Sequence, residues 1–390
     1  MDLLTRAELH LLLEERQGPC VSLFMPTHRG GAEADPILWK NQVSRAEELL
    51  RNDGMRNPDI RAFLQSAWQL QQESTFWKQQ SDGLAAFVAP QLLRLYRLPT
   101  PLPSVVATGK NFLIKPLLPL LSGDGRFFVL ALSQNGVRLL QGTRFGVSAV
   151  DLQGTPTSLA QALLAHDRDE MLTFHSRPAG GAGSWGAIFS GHGVGIDDKK
   201  DDLLLYFQKI DHGLRRVLRG EHAPLLLAAV EYLRPIYSKA NSYAHFLDAG
   251  LEGSPDRLSE RELHERAWAV VGPRFAGVQA KALAQFEQLA GTGRTSTDLA
   301  HLIPAASRGE VETLFVAQEK EAWGRYDAAA AQVEEHAQMQ PGDEDLTNVA
   351  AIHTLRRGGT VYVLPAARMP AGAPLAAVFS LPLAKRGKRP

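Results

Sequence analysis

The chain has 390 residues, 44% of them apolar, with 42 Lys and Arg against 42 Asp and Glu. That length exceeds one ordinary core and predicts two or three domains, while the balanced charge excludes a global field as the drive for nucleic-acid binding and leaves only local patches. Cys20 is the single cysteine, which excludes an intrachain disulfide framework or a cysteine-ligated zinc site and fits a reducing compartment.

The opening MDLLTRAELH has no basic segment followed by an apolar core, so no signal peptide is expected. No apolar run approaches bilayer-crossing length. The expectation is a soluble cytoplasmic protein without membrane contact.

Residues 1–122 read as an α/β unit. Thr5 with Glu8 makes a capping box that opens a helix to Leu13. Cys20 to Met25 predicts a buried strand, and Thr27, His28 and Arg29 follow its end, a place where open α/β sheets often carry sites. Asp35-Pro36 and Asn57-Pro58 each open a helix. Leu84 to Val88 and Leu92 to Leu98 predict paired strands, with more strand over Val105 to Ala107 and Phe112 to Leu118.

Residues 123–272 predict strands, then helix, strand and helix, hence a mixed sheet flanked by helices. Phe127 to Leu132 and Val137 to Leu140 pair across Asn135-Gly136, and Val147 to Leu152 adds a strand. A short helix spans Pro156 to Ala165. His166 to Glu170, with Asp167 and Asp169, is a polar cluster suited to a cation or to a solvated turn. From His175 to Gly195 seven glycines make a loop that presents backbone: Gly180, Gly181, Gly183, Gly186, Gly191, Gly193 and Gly195.

A long amphipathic helix follows over Asp197 to Arg219. Leu203, Phe207, Ile210, Leu214 and Val217 form its apolar stripe, and Lys209, Arg215 and Arg216 lie opposite. Pro224 to Val230 is continuously apolar, as in a strand covered on both faces. Ser259 and Glu262 form a second capping box.

No G-K-[ST] ends the glycine run, so a phosphate-binding loop of that type is excluded, and neither Ser184 nor Ser190 lies in a G-x-S-x-G elbow. His175 and His192 flank the loop, but no fixed spacing joins them to a third ligand. No resident metal or cofactor is expected.

Residues 273–384 predict helices over Val278 to Ala290, from Asp298 toward Ser307, and over Asp345 to Leu355. Strands are expected over Val311 to Ala317, Thr360 to Leu364 and Ala376 to Leu381. Residues 385–390, KRGKRP, form a basic tail suited to phosphate contact.

The order of these parts resembles the archaeo-eukaryotic class-1 release factor superfamily, which contains Pelota, and its branch of bacterial archaeo-eukaryotic release factor family proteins. FFVLALSQNGVRLL, the loop, the long helix and PLLLAAVEYL carry the resemblance in the middle segment. AASRGEVETLFV and DLTNVAAIHTLRRGGTVYVL resemble the L7Ae-like third domain. The resemblance implies a three-domain architecture, with the middle domain delivering its loop to the ribosome.

In release factors a Gly-Gly-Gln tip in that loop positions water for peptidyl-tRNA hydrolysis. Here Ala182 follows Gly180-Gly181, and no glutamine lies between His175 and Gly195. An alanine methyl orients no water. The resemblance therefore implies ribosome rescue or regulation, as in Pelota-like members, rather than stop-codon termination. Gly180, Gly181, Ala182, Gly183 and Trp185 are the expected RNA-binding loop, with the Trp185 ring offered for base stacking. Lys209, Arg215 and Arg216 are the expected phosphate contacts, and the ribosome or structured RNA is the expected partner.

Two alternatives stay open. One is a metal-assisted hydrolase of RNA or peptidyl-tRNA using Asp167, Asp169, His175 and His192. The other is a non-catalytic protein-binding scaffold.

Overall fold

The computed structural model describes residues 6–121, 125–152, 154–164 and 196–381. It is a mixed α/β structure with several sheets. Contacts divide the chain into two compact units, Met1–Gly125 with Pro273–Pro390, and Arg126–Gly272. No described helix is long and apolar enough to cross a membrane.

In the first unit, β1 (Cys20–Pro26), β2 (Gly83–Ala89), β3 (Leu92–Leu98) and β4 (Val105–Gly109) form an antiparallel sheet of order β3-β2-β1-β4. Side chains alternate across a strand, so its two faces carry different residues. Val21, Leu23, Met25, Leu84, Ala86 and Val88 pack on the helices Ala34–Asn52, Asn57–Phe63 and Gln65–Leu70. On the other face Phe24 and Phe112 meet Phe87 edge-on, with ring centroids 5.7 and 5.1 Å apart. Apolar residues on both faces account for the uninterrupted burial of β2. Cys20 is buried there, and burial pushes its thiol up to about 11, which keeps it from thiolate chemistry.

The segment that supplies Phe112 departs from the strand expected over Phe112 to Leu118. It forms a 3-10 turn, Lys115–Leu117, and a short helix, Leu118–Leu121. Pro116 lacks the N–H a strand ladder requires. The Ile114 and Lys115 N–H groups are instead taken by Asn348 Oδ1, at 2.8 and 3.1 Å. Asn348 lies on the helix Leu346–Arg356, far along the sequence.

In the second unit, β5 (Phe127–Leu132), β6 (Val137–Thr143), β7 (Gly146–Val150), β8 (Leu225–Ala229) and β9 (Leu251–Glu252) form a sheet of order β7-β6-β5-β8-β9. β5, β8 and β9 run parallel, and β6 and β7 are antiparallel additions. The helices Ile196–Val217 and Leu233–Ala240 cover one face, where Leu203, Phe207, Ile210 and Leu214 meet Phe128, Leu130 and Leu227. Toward the other face, Trp268 packs its ring 6.1 Å from that of Phe127.

Trp268 lies on the helix Glu260–Gln288, opened as expected by Ser259 and Glu262. Two helices were expected in this stretch, and one of 29 residues is observed, with Pro273 inside it. Proline removes one helical hydrogen bond, yet the apolar pattern resumes beyond it, with Leu283 and Phe286 in the core of the first unit.

The remaining strands are β10 (Thr295–Ser296), β11 (Val311–Ala317), β12 (Trp323–Asp327), β13 (Gln332–His336), β14 (Glu344–Asp345), β15 (Thr360–Leu364) and β16 (Leu375–Phe379). They make a sheet of order β10-β16-β11-β15 and a small sheet of order β13-β12-β14. The helix Leu299–Arg308 starts on Asp298, which accepts Ala300 N–H at 2.9 Å, and ends on Gly309 at φ 80°. The small sheet was not expected from sequence. Its strands are short and polar, with residues that are mostly exposed or half-buried, so they carry little apolar periodicity.

A charged cluster pins the β13–β14 connection. His336 Nδ1 and Asp343 Oδ2 are 2.8 Å apart, His336 Nε2 is 3.2 Å from Glu334, and Arg325 Nε is 3.3 Å from Asp343. The Asp343 bond, against burial and aided by Glu334, holds His336 above its ordinary 6.5. Burial works to raise the Asp343 carboxyl, but the Gln340 N–H, His336 and Arg325 outweigh it and hold it below 3.8.

The His336 contribution to stability is therefore complete below pH 6.5 and lost as pH rises through the raised folded value. The Asp343 contribution is complete above pH 3.8 and lost as pH falls through its lowered value. Thermal melts from pH 5 to about 8.5 should show the native protein losing stability more steeply above pH 6.5 than His336→Gln does. Parallel curves would remove the linkage.

Candidate functional site

The helix Ile196–Val217 presents the cationic side chains expected to meet phosphates. Its apolar stripe fixes its rotation on the sheet, with Leu203, Tyr206, Phe207, Ile210 and Leu214 buried. Gly213 permits close approach of the loop beside it, because a Cβ there would lie 2.0 Å from Thr155 Oγ1. The polar face is thereby set outward.

At the C-terminal end of this helix, Asp211 is an organising acceptor, only 2% exposed. Its Oδ1 accepts Ser242 N–H at 2.8 Å, and its Oδ2 accepts Ser242 Oγ–H at 2.7 Å and Arg215 Nε–H at 3.0 Å. Arg215 Nε also donates to Ser242 Oγ at 2.7 Å. Burial, and then the Asp211 charge, push the Tyr237 hydroxyl above its ordinary value and keep it neutral. Arg215 is thus oriented at its root while its side chain remains 63% exposed. Arg216 is exposed beside it.

Lys209 sits apart, its ammonium donating to the Ala162 carbonyl at 3.0 Å. That bond ties the helix to the helical residues 159–164.

The structure adds His212 and Arg219, both exposed. Positions 212, 215 and 216 follow the three- and four-residue spacing that places side chains on one helical face, and Arg219 lies in the turn just beyond the helix end. That spacing was readable in the sequence. The Asp211–Ser242 brace had half a signal, since Asp211 precedes Arg215 by four residues, but nothing local points to Ser242.

His28 and Arg29 are each held by a carboxylate. His28 Nδ1 is 2.8 Å from Asp35 Oδ1, and Arg29 reaches both Asp82 oxygens at 2.7 Å. Gly180, Gly181, Ala182, Gly183 and Trp185 lie outside the described residues, as do Asp167, Asp169, His175 and His192. Among the described residues no group of three or more His, Cys, Asp or Glu is arranged to hold a metal ion.

Residues 127–273 match the model of bacterial archaeo-eukaryotic release factor family 7. The resemblance read from the sequence therefore stands for the segment that carries the second sheet and the cationic helix. No curated protein matches the chain.

The solved structures similar to it include the following three. One is an archaeal translation termination factor, at 14% identity over 96% of this chain and 97% of that one, TM-score 0.26. A second is archaeal Pelota in a model of its ribosome-bound form with ABCE1, at 10% identity over 98% and 96%, TM-score 0.38. The third is Dom34 of S. cerevisiae, a translation termination-like factor involved in RNA quality control and interacting with Hbs1, at 10% identity over 77% and 74%, TM-score 0.38.

Proposed function

We propose that this chain is a ribosome-associated translation factor that acts in rescue or regulation and does not hydrolyse peptidyl-tRNA. The observation that carries the reading is the match of residues 127–273 to a release factor family. The cationic row on the Ile196–Val217 helix supports it. Arg215 and Arg216 on the helix, with Arg219 in the turn that follows it, provide a local phosphate-binding patch on a chain with no net charge.

Docking through such a patch is salt-sensitive and independent of RNA sequence. The glycine-rich stretch 175–195, which precedes the helix in sequence and lies outside the described residues, is the segment this reading assigns to the ribosome. Ala182 in place of a glutamine removes the group that would position water, so binding through this stretch leaves the ester uncleaved. The first segment carries no recognisable stop-codon-reading motif, which favours rescue or regulation over termination.

Co-sedimentation with ribosomes at two salt concentrations tests this. The protein is expected in the ribosomal pellet at low salt and depleted from it at high salt. Arg215→Ala should weaken binding and lower the log–log salt slope by about 1. The helix itself should persist in that variant, since Arg215 is an exposed side chain. Absence from the pellet at low salt would end the proposal.

A further inference from the structure

His222 and His245 take no part in the cationic stripe. His222 stands in the turn between the Ile196–Val217 helix and β8, and His245 in the segment that leads to β9. Their facing nitrogens, His222 Nδ1 and His245 Nε2, are 3.1 Å apart. The rings cross at 81° with centroids 5.2 Å apart.

Backbone pairing sets this spacing. Leu225 N–H donates to the His245 carbonyl at 2.9 Å, and Leu247 N–H donates to the Leu225 carbonyl at 2.9 Å. His245 is therefore anchored at the first residue of β8, and His222 lies three residues before that same residue in the chain. Tyr243 packs edge-on against the His245 ring, centroids 5.6 Å apart, and its hydroxyl donates to the Ala223 carbonyl at 2.7 Å. Ala223 adjoins His222, so the brace for one imidazole closes on the neighbour of the other. The adjacent Glu221 carboxylate is engaged by Arg126.

We propose that His222 and His245 form a two-imidazole chelate for a divalent transition metal of the zinc, nickel and copper class. Metal–nitrogen bonds of about 2.0–2.1 Å place neighbouring ligand nitrogens roughly 2.9–3.4 Å apart across octahedral and tetrahedral geometries. The observed separation falls inside that range. Without metal, one N–H lies between the two nitrogens. On binding, that proton moves to the far nitrogen of its own ring. Both imidazoles stay neutral and both lone pairs turn to the ion.

With two protein ligands, the other coordination positions are filled by water. Imidazole nitrogen selects against magnesium and calcium, which take oxygen ligands. The His245 ring, braced by backbone pairing and by Tyr243, is held in place before coordination, which lowers the ordering cost of binding.

Titration of the full chain with zinc chloride and nickel chloride, followed by calorimetry, tests the site. One ion per chain is expected to bind in the micromolar range through this pair. His222→Ala and His245→Ala should each weaken that binding at least tenfold, with His222→Gln as a second substitution should the first perturb folding. A variant lacking His175 and His192 should retain it. Copper(II) spectra should show two coupled nitrogens in the native chain and one in each single variant. Binding that survives both single substitutions, or no binding below millimolar metal, would overturn the assignment. Ribosome co-sedimentation is unaffected by either result.

Discussion

Asp345→Ala is expected to lower the unfolding free energy by about 4 kcal/mol, because it both uncovers a buried charge and removes a helix cap. Asp345 Oδ2 lies 3.3 Å from Lys115 Nζ, and the two side chains are 5% and 9% exposed. Its Oδ1 accepts Thr347 N–H at 3.0 Å and Thr347 Oγ–H at 2.7 Å at the start of the Leu346–Arg356 helix. The Lys115 ammonium also donates to the Lys320 carbonyl, which does not neutralise it.

Removing one member of a buried pair costs about 3–5 kcal/mol, whereas replacing both members by apolar groups can be nearly neutral. The double variant Lys115→Met with Asp345→Ala should therefore be more stable than Asp345→Ala alone. Urea unfolding followed by tryptophan fluorescence measures this. Strictly additive losses would show that the pair contributes no coupling.

Asn348→Ala should cost about 3 kcal/mol, since each buried polar group left without a partner costs roughly 1–3 kcal/mol. Asn348 is 5% exposed. It accepts two backbone N–H groups, from Ile114 and Lys115, and its Nδ2 donates to the Phe112 carbonyl at 3.0 Å. Alanine removes all three bonds and admits no replacement donor or acceptor. Asn348→Asp keeps the acceptor for both N–H groups and should lose less. Equal destabilisation by alanine and aspartate would show that the two accepted N–H bonds contribute little to the cost.

Glu344 adds to the same region by accepting Lys110 N–H at 3.0 Å and Asn111 N–H at 3.1 Å. Arg356 donates to the Leu13 carbonyl and, at 3.1 Å, to Asn111 Oδ1. Residues far apart in sequence thus supply each other's missing partners within one unit. Burial, and then the neighbouring Arg356, lower His353 to about 4, so this helix adds no titration near neutral pH.

The cationic helix shows how far local reading reaches. Its apolar stripe and exposed arginines follow from three- and four-residue spacing, which depends only on helix geometry, while the helix itself ends at Val217, short of the expected Arg219. The brace on Arg215 does not, because Ser242 is contributed by a separate segment that the fold brings alongside. The same holds for the His222–His245 pair, whose members are joined through pairing at Leu225 and carry no motif.

Strong periodicity and turn chemistry alone determined the strands β1, β2, β5, β8, β11 and β15, the capping box at Ser259, and the Asp298 cap with its Gly309 stop. These depend on neighbours within a few residues, so the chain encodes them locally. Tertiary structure decided the rest. The stretch after Phe112 gave up strand pairing because Asn348 satisfies its N–H groups, and the helix through Pro273 continued where the apolar pattern resumes beyond it. The first outcome depended on a partner brought from far along the sequence, because hydrogen bonding rewards whichever acceptor is present after folding.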